Sequence, residues 1–403
     1  MTIQTLSRNR ALGFLLLFTC ALAVSVRSGD TIRYLDESDY SQLGSSLLHR
    51  HAFAYPNGSP AVYRPPGYPV LIAAAFAIVE RPVTAKIENV LILMLAVLAI
   101  GVVANRIHPN AGALAPFLVI AYPLLIYAAS ILYPQILACL LLALTVFLLS
   151  DAQLSARAAT AAGVIYGILI LAVPYFIFLL PLLATFTFFR HDLPRLDRLR
   201  GAILLICAAS LVVFPWTLRN YIEFHKVIPV SVNGGLNLFL GNSATTTPNG
   251  SVTSVSAACI HVQPNMNIIQ LDSAFGKCAV DWIIANPLPA AKLYIGKVIN
   301  YFNFRSELAT KTASLPWTDW LLFFTYYPLL LIAIARAALF RRFPFGKTEV
   351  LIYLIYFLNA FVSAIFFTRI RFRIPFDFLL IAIAGGFLCN CWEARKNRVL
   401  GKI

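Results

Sequence analysis

The chain has 403 residues, 60% of them hydrophobic and only 12% charged, with a mean hydropathy of +0.78. Soluble domains lie nearer half apolar and a quarter charged, so an ordinary soluble enzyme is excluded, and 30 Phe, 17 Tyr and 5 Trp exclude a disordered chain. A net charge of +15 would suggest nucleic acid in a soluble protein, but in a polytopic membrane protein its distribution first reports orientation.

A helix needs about 20 apolar residues to cross the hydrocarbon core. In chain order the candidate spans are 11–26, 87–105, 113–131, 135–150, 159–173, 174–189, 200–214, 317–340, 348–368 and 375–392. The expected fold class is therefore all-α, a polytopic transmembrane bundle of about ten spans. Residues 11–26 also resemble a secretory signal, with Arg8 and Arg10 before the apolar run and Ala21-Leu22-Ala23 near its end. Nine further spans favour an uncleaved anchor. The run 67–79 has only 13 residues and starts at Pro65-Pro66-Gly67-Tyr68-Pro69, so it reads as a juxtamembrane or re-entrant helix.

Charge supports this threading. With the N-terminus inside, the short inner segments carry 16 basic and 5 acidic residues, the asymmetry of the positive-inside rule. Making 67–79 a full span would put the basic loop 190–200 outside. The expected setting is the plasma (inner) membrane, with both termini cytoplasmic. Two outer segments, 27–86 and 215–316, are long enough to carry function. The chain divides into 1–214, the membrane core with the first outer loop and about seven spans; 215–316, an outer region; and 317–403, the last spans with an Arg-rich outer turn. Within 215–316, a Gly/Asn/Ser/Thr-rich piece covers 233–256, and 272–286 and 289–304 read as helices. Leu293, Val298 and Tyr301 with Lys292 and Lys297 suggest an amphipathic surface helix. No internal repeat or dinucleotide-binding glycine motif is visible. Cys20, Cys139 and Cys207 read as apolar fillers within spans, Cys389 and Cys391 sit at the end of the last one, and Cys259 and Cys278 are both external, where a disulfide is open.

The chemistry-bearing residues are external. Asp30, Asp36, Glu37 and Asp39 crowd into ten residues directly after the first span. They read either as an acidic cap on a helix N-terminus or as a general base or metal ligand at the membrane face. Arg64 precedes the rigid turn at Pro65-Pro66. Trp216, Arg219 and Asn220 follow Pro215, and Asn233 opens Asn233-Gly234-Gly235-Leu236-Asn237. Arg369, Arg371 and Arg373 share one outer turn against the positive-inside trend. Their planar donors suit a phosphate; headgroup contact or pairing with Asp377 is the plainer alternative. His49 and His51, two apart on a helix, point to different faces and read as interfacial. Asn57-Gly58-Ser59 and Asn249-Gly250-Ser251 match glycosylation triplets but read as turns.

Asp36-Glu37-x-x-Tyr40, Arg64-Pro65-Pro66-Gly67-Tyr68-Pro69, Pro215-Trp216-x-x-Arg219-Asn220, the Asn-Gly-Gly-Leu-Asn stretch and Arg371-Phe372-Arg373-Ile374-Pro375 occur in this order. Together they resemble bacterial membrane glycosyltransferases of the GT-C superfamily, on the branch related to protein mannosyltransferases and aminoarabinose transferases. The resemblance runs from about residue 10 to the C-terminus. Two departures stand out: relatives often carry Glu where this chain has Gln135 after Tyr133-Pro134, and Arg where Val173 precedes Pro174.

The resemblance implies a sugar taken from a polyprenyl-phosphate carrier on the outer (periplasmic) face, with Asp36 as base or metal-associated carboxylate. Arg371 and Arg373, then Arg64 and Arg219, are the expected donor-phosphate ligands. Glu37, Asp39, Tyr40, Trp216, Asn220 and Asn233 are expected to orient the acceptor or sugar, or to support the loops. No cofactor is assigned; a divalent cation through Asp36 and Asp39 stays open. The expected partners are a polyprenyl-phosphate-linked sugar, a lipid, glycan or protein acceptor and membrane lipids, with no nucleic acid. A transporter or lipid-linked-glycan flippase is the main alternative and a non-catalytic scaffold the next. The transporter reading does not account readily for carboxylates gathered at the outer mouth of spans nearly free of charge, and a scaffold would tolerate loss of Asp36.

Overall fold

The computed structural model describes residues 3–190, 192–249, 259, 266–305 and 316–399. Among these, every regular element is helical. The order is α1 (Ile3–Ser28), α2 (Leu35–Arg50), α3 (Gly67–Phe76), α4 (Pro82–Asn105), α5 (Ala115–Ile120), α6 (Leu124–Ala129), α7 (Gln135–Leu149) and α8 (Ala156–Ala172). There follow α9 (Leu180–Phe188), α10 (Arg195–Phe224), α11 (Gly234–Gly241), α12 (Ile268–Ala285), α13 (Pro287–Tyr301), α14 (Pro316–Ala338), α15 (Lys347–Ile365) and α16 (Ile370–Val399).

Six helices (α1, α4, α10, α14, α15 and α16) are long and apolar enough to cross a membrane. Prolines shorten the rest. Pro123 splits the expected span 113–131 into α5 and α6, and Pro174 opens a 3-10 turn, Pro174–Leu179, ahead of α9. Irregular backbone at membrane depth is tolerated when other helices cover it. Here Ala115, Val119, Leu125, Ala128 and Ala129 are buried, with α5 and α6 packed on α1 and α4.

Contacts at the two ends place successive segments between residues 86 and 192 at alternate ends of the bundle. At one end Arg106 meets Asp151 at 2.8 Å, Arg190 donates to the Leu149 carbonyl at 2.9 Å, and Lys347 meets Asp192 at 2.5 Å. At the other, Asn89 donates to the Ile131 carbonyl at 2.9 Å and the Leu132 N–H donates to Glu37 at 2.9 Å. There the buried ammonium of Lys86 also ties α4 to Ser28, Gly29 and Thr31 behind α1. The helix expected to be too short, α3, stays at this second end against α2 and α8.

Two charged pairs lie inside the bundle, one of them the Asp377 pairing that the sequence offered as the alternative to a phosphate role for the outer arginines. Arg336 and Glu349 meet at 2.7 Å and Arg373 and Asp377 at 2.9 Å, each with side chains at most 3% exposed. The helix α13 is amphipathic as expected, with Leu293 and Tyr301 inward, but Lys297 is inward too. Leu293, Lys297 and Tyr301 are buried, while Leu288, Ile295 and Ile299 face out. The Lys297 ammonium donates to the Gly241 carbonyl at 2.8 Å, Asn242 Oδ1 at 3.0 Å and the Phe366 carbonyl at 2.9 Å. It thereby pins α13 to the ends of α11 and α15, and burial pushes its pKa down to about 8. Cys259 and Cys278 form a disulfide. Ser251 of the second glycosylation triplet and the stretch 250–256 lie outside the described residues.

Gly67 is needed for close approach. A Cβ there would sit 2.8 Å from the Leu171 and Ala172 backbone at the end of α8. Gly67→Ala is therefore expected to lower stability by about 1–3 kcal/mol, because backbone cannot swing aside as a side chain can. A lower thermal midpoint in detergent checks this; an unchanged midpoint would show that α3 and α8 separate freely.

Candidate active site

The site starts from the first turn of α2. The helix opens after Tyr34, and Glu37 reaches back to accept from the Arg33 and Tyr34 N–H groups at 3.0 and 3.3 Å. Its other oxygen takes the Leu132 N–H, so this fully buried carboxylate joins the start of α2 to the turn before α7. Glu37 is thus placed as a fastener, with its charge set against the helix N-terminal dipole.

One residue earlier, Asp36 points the other way. Arg64 Nη2 donates to its Oδ1 at 2.5 Å, and Arg371 Nη1 donates to its Oδ2 at 2.7 Å. The Tyr133 hydroxyl also donates to Oδ2, at 3.2 Å. Arg64 spans to Asp39 as well, with Nε at 3.1 Å and Nη2 at 2.8 Å from Oδ2. Residues far apart in sequence (36, 39, 64, 133 and 371) thus meet in one cluster. The Arg64 guanidinium lies 4.8 Å from the Tyr63 ring centre and 5.3 Å from that of Tyr40, so its orientation is fixed. Tyr40 is buried edge-on against Tyr68 and Tyr133 and forms the wall behind it. Burial pushes the Tyr40 phenol up to about 12.

Burial alone would raise the Asp36 pKa, but the charges of Arg371 and Arg64 outweigh it and hold the carboxyl below its ordinary value. Of the two arginines, Arg371 is the more accessible, its side chain 34% exposed against 13% for Arg64. Its Nε is buried without a hydrogen-bond partner, so the accessible part of the guanidinium is the part beyond it.

Other residues singled out in the sequence are placed differently. Arg219 lies with Trp216 and Phe53, donating to the Ala61 carbonyl at 2.7 Å and the Phe53 carbonyl at 3.0 Å. Trp216 Nε1 donates to the Val230 carbonyl at 2.7 Å, and the buried Asn220 amide donates to that of Ile228 at 3.0 Å. Asn233 reaches the Tyr63 carbonyl at 3.4 Å. These four hold the segments 53–63 and 228–233 against α10, and so hold the strand of chain that delivers Arg64. Arg219→Ala is accordingly expected to cost about 1.5–3 kcal/mol and to speed proteolysis within 53–63, with Lys a poor substitute for a fork on two carbonyls. Proteolysis at the wild-type rate would remove Arg219 from this scaffold.

Arg373 is 2% exposed and points into the bundle, away from Asp36. It pairs with Asp377, donates to the Tyr301 carbonyl and to that of Asn303 at 2.8 Å, and lies 3.6 Å from the Tyr326 ring centre. Asp377 takes further bonds from the Tyr122 and Tyr356 hydroxyls at 2.7 and 3.2 Å. The residue that sequence reasoning left out of the site is Tyr133. Its signal in the sequence is the Tyr133-Pro134 step directly before α7.

A divalent cation does not fit the carboxylates as arranged. Both Asp36 oxygens and one of Asp39 already accept from guanidinium groups, which would repel a cation, and no group of three or more His, Cys, Asp or Glu able to hold a metal occurs among the described residues.

No protein-family model matches the chain, and no curated protein matches it. Among solved structures it resembles the archaeal oligosaccharyltransferase AglB from Archaeoglobus fulgidus, in complex with an inhibitory peptide and a dolichol-phosphate. The TM-score is 0.57 at 14% identity, over 96% of this chain and 51% of that one. The Archaeoglobus fulgidus oligosaccharyltransferase in complex with Zn and sulfate gives 0.54 at 14% identity, over 95% and 50%. ArnT from Cupriavidus metallidurans bound to undecaprenyl phosphate gives 0.44 at 15% identity, over 94% and 78%. The chain spans about half the length of the two oligosaccharyltransferase chains. By architecture, this is an integral membrane protein with the GT-C fold.

Proposed function

We propose that the chain is a membrane glycosyltransferase that moves a sugar from a polyprenyl-phosphate carrier to an acceptor hydroxyl on the outer (periplasmic) face. The observation that carries this reading is the Asp36 cluster: a carboxylate held between two arginines, one of them accessible. The fold supports it, since a solved structure with this architecture is an oligosaccharyltransferase complexed with a dolichol-phosphate.

In this reaction the bond from the anomeric carbon to the carrier phosphate oxygen breaks, and its electron pair leaves with the phosphate. The acceptor oxygen forms the new bond and its proton passes to Asp36. Charge grows on the leaving phosphate, so a preplaced guanidinium stabilises the transition state. Arg371 is the residue for this role, and Arg64 holds Asp36 and Asp39 in register. When the carrier phosphate draws Arg371 away, Asp36 loses part of what depresses its pKa and becomes a better base as the donor arrives. Displacement at one carbon in one step inverts the anomeric centre. The roles of Arg219, Trp216, Asn220 and Asn233 are to build the loop that carries Arg64, and that of Arg373 is to set the start of α16.

The test is transfer by the purified chain from a polyprenyl-phosphate sugar to lipid, glycan and peptide acceptors, with product anomers resolved by NMR. Transfer lost in Arg371→Ala and retained in Arg341→Ala, a basic residue at the opposite end, is the expected pattern. Carrier movement across vesicles without transfer would instead make the chain a flippase.

A further inference from the structure

At the end of the bundle opposite Asp36, the loops after α4, α7 and α14 and the far part of α16 enclose a cavity of about 660 Å³. Its charged lining is Arg106, Arg336, Arg342 and Lys347 against Asp151 and Glu349, an excess of two positive charges. The anions do not neutralise the cavity mouth. Glu349 is taken up by Arg336, which also donates to the Phe343 carbonyl at 2.7 Å and the Pro344 carbonyl at 3.2 Å. That buried pair fixes the loop bearing Arg342. Asp151 takes one nitrogen of Arg106, whose guanidinium is held 4.1 Å from the Phe147 ring centre. Lys347 gives one bond, to Asp192, which lies outside the cavity lining. Arg342 is exposed and forms no ion pair among the described residues.

The surroundings are apolar on the membrane side. Leu339, Phe340 and Phe345 are 41%, 50% and 38% exposed beside the Arg342 loop, and Leu388 and Trp392, flanking the lining residue Asn390, are 40% and 72% exposed. A basic cavity with an apolar skirt at the ends of membrane helices matches an amphiphile with an anionic head.

We infer that this cavity binds the phosphate headgroup of an anionic membrane lipid, on the face opposite the proposed transfer site, with Arg342, Lys347 and Arg106 as its phosphate ligands and the Leu339, Phe340 and Trp392 side chains along its acyl chains. The site is separate from donor binding and stands whether or not the chain is a transferase.

The experiment measures lipid binding to the full chain in a neutral detergent by native mass spectrometry, comparing phosphatidylglycerol with phosphatidylcholine. Phosphatidylglycerol is expected to bind preferentially, and Arg342→Ala to weaken it about fivefold, the effect of about one kcal/mol per basic group at an anionic membrane surface. Arg200→Ala, an exposed arginine outside the cavity lining, is expected to leave it unchanged. Equal losses in both variants, or no preference over phosphatidylcholine, would overturn the inference in favour of diffuse surface attraction. Full competition by millimolar sn-glycerol 3-phosphate would overturn the lipid assignment and leave a site for soluble phosphate esters.

Discussion

Asp36→Asn is expected to lose sugar transfer by about 10²–10⁴-fold while binding the polyprenyl phosphate carrier more tightly than the wild type. The loss follows from removing the proposed base. The gain follows from the same geometry. In the free protein the carboxylate occupies the Nη1 of Arg371 and the Nη2 of Arg64, so an arriving phosphate has to compete with it. Asparagine keeps the shape but removes one negative charge a few ångströms from the phosphate site, a repulsion of about 1–2 kcal/mol in a partly solvated cleft, or about tenfold in Kd. A merely structural Asp36 would give weaker binding, because the arginines would lose their anchor. Wild-type turnover would sink the base assignment, and weaker carrier binding would sink the competition.

The sign of the pH dependence follows from the same contacts. Because the folded pKa of Asp36 lies below the usual carboxylate value, its pairing is complete above that value and is lost only as pH falls through the depressed one. The acid limb of kcat/KM, which reports the free enzyme, is therefore expected below the ordinary carboxylate range. The limb of kcat is expected at higher pH, since bound phosphate engages Arg371. Coincident limbs would mean that Arg371 stays on Asp36 throughout the reaction.

The all-helical membrane class and the apolar runs were legible because they rest on local pattern, though four of those runs prove to be helices of 10–17 residues and only six are long enough to cross a membrane. That Arg64 would pair with Asp36 was not legible. Nor was the direction of side chains within the outer segments. Arg371 and Arg373 are two apart on one helix, so about 200° separates them around its axis, and only one can face the cluster. Likewise Arg219 follows Trp216 by three positions and shares its helical face, which the structure turns toward the 53–63 segment. The buried Lys297 and Lys86 were unreadable as core residues, because two of the three acceptors of each are backbone carbonyls, which every sequence supplies and none advertises.

The second large effect concerns Arg373 and Asp377. Arg373→Ala is expected to destabilise the protein by about 3–5 kcal/mol, since Asp377 would be left as an unpaired charge in the bundle core. Transfer would fall with it, which alone would look like loss of a phosphate ligand. The paired replacement Arg373→Met/Asp377→Leu separates the two readings. Removing both charges at similar volume is expected to recover most of the stability, and the start of α16 with Arg371 would return to its place. Carrier phosphate binding in the paired variant should then match the wild type, because Arg373 directs its donors at Asp377 and at the Tyr301 and Asn303 carbonyls. If the variant regains its thermal midpoint yet binds the carrier tenfold more weakly, Arg373 swings outward to the donor and belongs among its ligands after all.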